Sequence, residues 1–403
     1  MARSEAGRRG KEVRSDCWIA LEETTAGGLA FDLKSKVASM YGASIRDLVE
    51  KGLKFFGIEN ARVEVEDAGA LPFTLMARVE TAVRRLRPSE TKQFLPDMAD
   101  TCRYGTHRER MRRSRLYLPG NEAKFMVNSG LHRPDGVILD LEDSVHPSQK
   151  DAARVHVRNA LRRVDFAGAE RMVRINQGEM GFVDLEFLVP HNVHIILIPK
   201  CESAEEVKAI DAKIADIKKK HKVVSDVYLM PIIESALGAI RAYAIAVASP
   251  NVVALTIGLE DYTADIGTKR TNEGRESFWA RAQVVNAARA AKVQPIDTVF
   301  SDIMDMEGLR QSVLEAKSLG FEGKGCIHPR QIEVINDAFA PTEDEITRAK
   351  AIVVAFDEAE KKGLGVVALG NKMIDPPVVK RALHTVELAV ASGKLAPNWR
   401  ETK

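Results

Sequence analysis

Eight short apolar runs, each followed by a stretch of helical spacing, recur between Arg115 and Ile327 and restrict the fold more than any other feature of the chain. They cover 115–118, 136–141, 172–176, 194–199, 227–233, 252–258, 295–299 and 324–327. Most are near-continuous in apolar residues, as strands buried on both faces must be. Helical patterns such as 204–217, 236–248, 280–291 and 307–319 lie between them. Strand and helix alternating eight times in about 215 residues is the period of an α/β chain closed into a (β/α)8 TIM barrel. An open doubly wound sheet is the alternative, but no Gly-x-Gly-x-x-Gly follows the first run.

Such a barrel keeps its chemistry at the carboxyl ends of its strands. The fifth run closes on Glu234, the sixth on Glu260 and Asp261, and the second on Glu142 and Asp143. A single acid at such a place caps the next helix as readily as it serves a site, because helix N-termini favour negative charge. Three such endings in one barrel favour a site. Two hard oxygen ligands suit Mg²⁺, which usually takes one or two protein carboxylates and fills its octahedron with water and substrate, so Glu234 and Asp261 are the expected metal ligands of a magnesium-enolate site. Lys200, at the end of the fourth run, offers a Schiff-base alternative that the surrounding acids argue against. His328, after the eighth run, is as readily structural as functional.

At 403 residues the chain has room for two domains. Its net charge of +2 gives no argument for nucleic acid or for a membrane surface. Cys17, Cys102, Cys201 and Cys326 are scattered, which suits neither a disulfide framework nor a zinc site. The basic N-terminus leads into no apolar core of a signal peptide, and no apolar stretch reaches the roughly 18 residues of a membrane span. A cytoplasmic protein is expected. Ahead of the barrel, residues 12–21 and 28–34 read as a hairpin, 44–56 as a helix capped by Ser44 and closed by Gly57, 61–67 as an alternating strand and 71–86 as a second helix. The expected organisation is a small α+β domain over 1–88, a linker over 89–111, the barrel over 112–330 and a C-terminal helical lid segment over 331–403. That lid must cover its own active site or a neighbour's. Six arginines between Arg103 and Arg115 read as a solvated linker, as a holder of phosphates or, with no aromatic interleaving, weakly as a nucleic-acid contact.

The Tyr-Gly-Ala-Ser-Ile-Arg and Val-Glu-Val-Glu-Asp-Ala-Gly-Ala-Leu strings, with a serine before the first strand, resemble the acyl carrier (gamma) subunit of bacterial citrate lyase. The resemblance implies a phosphoribosyl-dephospho-CoA arm on Ser15, although Asp16 stands where that family has glycine. Residues 112–385 resemble the citrate lyase beta subunit and its relatives in the HpcH/HpaI aldolase family through Arg-Ser-Arg-Leu-Tyr-Leu-Pro-Gly-Asn, Leu-Asp-Leu-Glu-Asp-Ser-Val, Val-Arg-Ile-Asn, Ile-Pro-Lys-Cys-Glu-Ser, Ile-Ile-Glu-Ser-Ala, Gly-Leu-Glu-Asp-Tyr, Ile-His-Pro-Arg-Gln and Lys-Met-Ile-Asp-Pro-Pro.

The activity this implies is Mg²⁺-dependent cleavage of a citryl thioester to oxaloacetate and an acetyl thioester. Free CoA thioesters such as malyl-CoA or citramalyl-CoA are the alternative substrates. Arg174 would hold a carboxylate or enolate oxygen, or pair with Glu142. Glu142 would reach the metal through water or move a proton, with Asp143 orienting it. Tyr117, Pro119, Gly120 and Asn121 would contact the CoA-like arm. The resemblance further implies a trimer, an alpha subunit as partner, and Asp375 supplied by an adjacent chain as acid or base. Without the resemblance, Asp375 is a helix cap ahead of Pro376 and Pro377.

Overall fold

The computed structural model describes residues 2–361, 367–369 and 372–400. Most of the Gly-Leu-Gly-Val-Val-Ala-Leu-Gly-Asn stretch at 363–371 therefore lies outside the described residues. The chain opens with β1 (Arg3–Gly7), β2 (Cys17–Glu23), β3 (Leu29–Ser35), α1 (Ala38–Phe55), β4 (Ala61–Asp67) and α2 (Pro72–Leu86). The expected hairpin is not formed. The sheet order is β1-β2-β4-β3, with β4 antiparallel to β2 and parallel to β3. The alternation of β4 buries Ala61, Val63 and Val65 under both helices, so this strand takes the centre and keeps β2 and β3 apart. The first of the expected strands starts only at Cys17, because Ser15 has a left-handed backbone (φ 55). Helix α1 begins at Ala38, ahead of the expected cap, and Ser44 bonds back to the Tyr41 carbonyl inside it. Gly57 closes the helix at φ 71, as expected.

Helix α2 is buried from Phe73 to Val83. One side faces the small sheet, and the other packs on the barrel helix over Lys150–Arg163. Glu80 receives Arg158 Nη1 and Nη2 at 2.8 Å each, with both side chains wholly inaccessible. Thr74 Oγ1 meets His156 Nε2 at 3.1 Å, and Phe73 belongs to the core between barrel and helices. Residues 88–111 form an ordered strap: Phe94 is buried in the first module, Cys102 Sγ reaches the Val164 carbonyl, and Arg171 donates to the carbonyls of Cys102 and Tyr104. The arginines there are structural. Arg112 forks onto the buried Glu170, Arg113 onto Asp135, and Arg108 onto the Pro250 carbonyl, at the amino end of the barrel, away from its mouth.

The barrel follows in chain order: β5 (Ser114–Pro119), α3 (Ala123–Met126), β6 (Gly136–Asp140), α4 (Lys150–Arg163), β7 (Glu170–Arg174), α5 (Gly178–Leu188), β8 (Ile195–Ile198), α6 (Ala204–His221), β9 (Tyr228–Ile233), α7 (Ala236–Ala246), β10 (Ala254–Ile257), α8 (Leu259–Asp265), α9 (Phe278–Ala290), β11 (Gln294–Asp297), α10 (Met306–Leu319), β12 (Gly323–Cys326) and α11 (Arg330–Phe339). Its eight strands close in sequence order, all neighbours parallel, with Ile138, Met172, Leu197, Met230, Ile232 and Ile296 filling the interior. Helix α12 (Glu343–Lys361), the pair β13 (Val367–Leu369) and β14 (Lys372–Ile374), and α13 (Pro376–Ala391) complete the chain. His384, Glu387 and Leu388 of α13 line a cavity with Val253 and Gln294, at the amino ends of β10 and β11. Helix α13 thus lies against the end of the barrel opposite its mouth. No helix among the described residues is long and apolar enough to cross a membrane.

Candidate active site

A cavity of about 310 Å³ opens at the carboxyl ends of the strands and contains Tyr117, Pro119, Asp140, Arg174, Glu234 and Asp261 in its wall. Glu234 follows β9 directly and is 5% exposed. Its Oε1 accepts the Lys200 N–H at 2.6 Å, and a Cβ at position 258 would stand 2.5 Å from its Oε2, so Gly258 is what lets the carboxylate lie against β10. Burial pushes Glu234 up to about 7, and the charge of Asp261 adds to the shift against the opposing Lys200 N–H. Asp261 belongs to the first turn of α8 and not to a strand end, since β10 stops at Ile257. Glu260, its neighbour, pairs with Arg270 at 2.7 Å.

Arg174 ends β7 and forks onto Asp140, Nε and Nη2 each 2.7 Å from a carboxylate oxygen. The ion pair with Glu142 is also formed, its Oε2 lying 3.0 Å from Arg174 Nη1, although that buried oxygen accepts no hydrogen bond. Burial opposes the charge on Arg174, but Asp140 outweighs it and holds the guanidinium well above its ordinary range. Asp140 also accepts the N–H groups of Glu142 and Ser144 and so shapes the turn that carries the next acids. Sequence reasoning passed over it because it lies inside the apolar run it terminates.

Lys200 stands among the acids. Its Nζ is 3.4 Å from Glu142, 3.5 Å from Asp143 and 3.6 Å from Asp261. Burial works against its charge, but these three carboxylates hold it above its ordinary value, which removes the free amine that a Schiff base needs. Glu142 is raised by burial and by Asp143, against Arg174, and its Oε1 accepts Gln177 Nε2 at 2.8 Å.

The donor set fits a hard divalent cation: carboxylates from Glu234 and Asp261 in the cavity wall. Among the described residues no three His, Cys, Asp or Glu side chains converge tightly enough to hold an ion alone. An ion held here would take two protein oxygens and complete its shell with water and substrate.

Glu142 borders this cavity only through Arg174 and Lys200, and Gly120, Asn121, Ser15 and Asp375 are not in its wall. Asn121 follows β5, but its carbonyl is turned to Arg78 of α2 at 3.2 Å and its Oδ1 is buried without a partner. Ser15 is half-buried in the turn before β2. It precedes Asp16, whose carboxylate is clamped by Arg78 at 2.8 and 2.9 Å. Asp375 caps α13 through the Val378 N–H at 3.2 Å and lies outside its own chain's cavity. His328 accepts the Arg330 N–H at the start of α11, a structural role.

Because a bound cation requires Glu234 ionised, Mg²⁺ affinity is expected to fall about tenfold per unit as pH drops below 7, one proton being displaced per ion. Calorimetric Mg²⁺ titrations between pH 5.5 and 8 would measure this slope. A flat profile would contradict the assignment.

Two family profiles match the chain. Residues 113–329 match HpcH/HpaI aldolase/citrate lyase, and residues 8–86 match the malonate decarboxylase delta subunit. The citrate lyase subunit beta of Haemophilus influenzae is 40% identical over 283 residues, which are 70% of this chain and 97% of that protein. The mitochondrial citramalyl-CoA lyase of Rattus norvegicus is 32% identical over 311 residues, 73% of this chain and 92% of that protein. Among solved structures, the protein CitE of Mycobacterium tuberculosis in complex with magnesium, acetoacetate and coenzyme A matches with a TM-score of 0.58 at 29% identity, covering 70% of this chain and 99% of the other.

Proposed function

The chain belongs to the HpcH/HpaI aldolase/citrate lyase family, and from that premise we propose that it is a Mg²⁺-dependent lyase cleaving a citryl thioester to oxaloacetate and an acetyl thioester. Glu234 carries the reading: a carboxylate buried at the barrel mouth beside a second acid, at a cost in charge that a bound cation would relieve. A similar protein is known in complex with magnesium and coenzyme A.

Glu234 and Asp261 would hold the ion, which would supply Lewis-acid chemistry to the substrate hydroxyl and help orient the bond to be broken. The hydroxyl then loses its proton, the carbon–carbon bonding pair passes into the thioester as an enolate, and the enolate carbon takes up a proton. Arg174, locked by Asp140, would turn its Nη1, which stands 3.0 Å from Glu142 Oε2, to a substrate carboxylate or to the enolate oxygen. Lys200 and Glu142 shape the charge around the hydroxyl, and Asp375 of an adjacent chain serves as acid or base. The placement of α13 away from its own cavity supports that last role in a homo-oligomer, a trimer by family likeness.

The first module would present a phosphoribosyl-dephospho-CoA arm on Ser15, close to the loop after β5 because Asp16, Arg78 and the Asn121 carbonyl form one chain of contacts. A separate alpha subunit would exchange the acyl group. The fixed seam between α2 and α4 favours a second reading, in which the module is a scaffold and free CoA thioesters such as citramalyl-CoA or malyl-CoA are cleaved. Four free, buried cysteines suit a reducing cytoplasm.

Assays of the purified protein with Mg²⁺ against citryl, citramalyl and malyl thioesters test the activity; turnover of none of them would end the proposal. Intact mass decides on the Ser15 arm. Chains carrying Glu234→Gln and chains carrying Asp375→Asn are each expected to be inactive, and co-assembly is expected to restore about a quarter of the sites. No recovery on mixing would overturn the shared site.

A further inference from the structure

Arg115 stands at the floor of the cavity, and the reaction as described gives it no part. It is 1% exposed and projects from β5 into the barrel, one inward-facing position below Tyr117, about 7 Å deeper along the strand. Its Nη1 donates to Met230 Sδ at 3.0 Å, and its Nη2 donates to Thr256 Oγ1 at 3.0 Å and to the Asp297 carbonyl at 3.5 Å. Its Nε has no partner. None of these contacts is a carboxylate. Most other deeply buried arginines have a carboxylate: Arg112 has Glu170, Arg158 has Glu80, Arg78 has Asp16 and Arg281 has Asp297, while Arg171, which has none, is wrapped by the carbonyls of Cys102, Leu161 and Tyr104 and does not border the cavity. The Asp297 carboxylate is already taken by Lys324 at 2.7 Å and by Arg281 at 3.1 Å, and the half-exposed Glu315 also pairs with Arg281 at 3.1 Å, so neither carboxylate is turned to Arg115.

A guanidinium shut away from water without a counter-charge costs several kcal/mol, and apolar packing would serve the barrel core better. The open space beside Arg115 is the substrate cavity, so the missing anion has a route in. Burial also pulls the group below its ordinary value, which an arriving anion would reverse.

We propose that Arg115 is a specificity-determining residue: it receives a carboxylate carried by the acyl group beyond the carbon at which the bond breaks. The site then prefers hydroxyacyl thioesters whose keto-acid product is a dicarboxylate over those whose product ends in a methyl group. This rests on the lyase reading of the same cavity and narrows its substrate class.

The test is Arg115→Met, read as the ratio of kcat/KM for citryl over citramalyl thioester. That ratio is expected to fall by about 100-fold, with citramalyl turnover kept, because a buried fork left without its anion is lost while the metal end is untouched. A general structural defect would lower both rates together, and an unchanged ratio in the folded variant overturns the proposal. If Arg115→Met does not fold, Arg115→Lys decides: it keeps the charge and loses the fork, and at least a tenfold drop in the ratio is expected, no drop being the contrary result. Calorimetry with oxaloacetate and with pyruvate in Mg²⁺ separates the two readings. If the wild type cleaves no thioester, the lyase reading fails, while a preference for oxaloacetate that vanishes in Arg115→Met still supports Arg115 as the anion site, and equal binding of both acids by the wild type refutes it.

Discussion

Glu234→Ala and Asp261→Ala are each expected to lower kcat by about 10⁴-fold at saturating Mg²⁺, a loss of about 5.5 kcal/mol in transition-state stabilisation. The two residues reach that result differently, and the difference is measurable. Asp261 is nearly half exposed in the first turn of α8, so Asp261→Asn changes little but the charge offered to the ion. Glu234 is buried and raised to about 7. A carboxyl whose folded value exceeds its unfolded one contributes stability that is present at acid pH and lost as pH rises through 7. Glu234→Gln removes that loss and keeps an acceptor for the Lys200 N–H, so the melting temperature in metal-free buffer at pH 8 is expected to rise while activity disappears. Steady-state kinetics with Mg²⁺ titration and calorimetric melting at pH 6 and pH 8 measure both halves. Activity that survives either alanine substitution in the presence of chelator sinks the metal site, and a lower melting temperature for Glu234→Gln at pH 8 sinks the account of its burial.

The parts of the molecule legible in its amino-acid order are those whose physics is local. A strand of a closed parallel barrel is buried on both faces, so Val137, Ile138 and Leu139 or Ile195, Ile196 and Leu197 announce themselves without their neighbours. Acids that interrupt such runs stand out too, which is why Glu234, Glu142 and Asp143 were visible. Asp140 was not, because a strand-end acid inside Leu-Asp-Leu-Glu-Asp is masked by the two that follow it. Nor does any spacing reveal that Arg112 pairs with Glu170, 58 positions away, or that Arg113 pairs with Asp135. Composition alone makes that stretch a solvated linker; long-range pairing makes it a strap. The hairpin failed for a related reason: a Gly-rich turn between two strand-like segments is a local signal, whereas the place of β4 between them is decided by which strand buries the most.

Helix α2 is the clearest case of a helix whose periodicity shows one face and whose structure buries two, and the largest effect on stability is expected there. Glu80 is inaccessible to water and holds Arg158 in a fork at 2.8 Å, Arg84 at 2.9 Å and the Phe94 N–H at 2.7 Å. Glu80→Ala leaves the Arg158 guanidinium buried with only Asn159 Oδ1 to receive it, and removal of one partner of such a pair costs about 3–5 kcal/mol. A stability of about 5–15 kcal/mol is ordinary for a domain, so the variant is expected to lose about a fifth or more of its margin. Glu80→Leu combined with Arg158→Met is expected to recover much of the loss, since apolar side chains can fill the same space without an orphaned charge. Because Phe73 lies in the core between barrel and helices and Thr74 faces His156, the first module and the barrel are expected to unfold in one cooperative denaturant transition, and a chain lacking residues 1–90 is expected to unfold at markedly lower denaturant than the full chain. Two separate transitions in the full chain, or a Glu80→Ala variant within about 1 kcal/mol of wild type, would show that the seam is a loose contact and return the first module to the role of a mobile carrier.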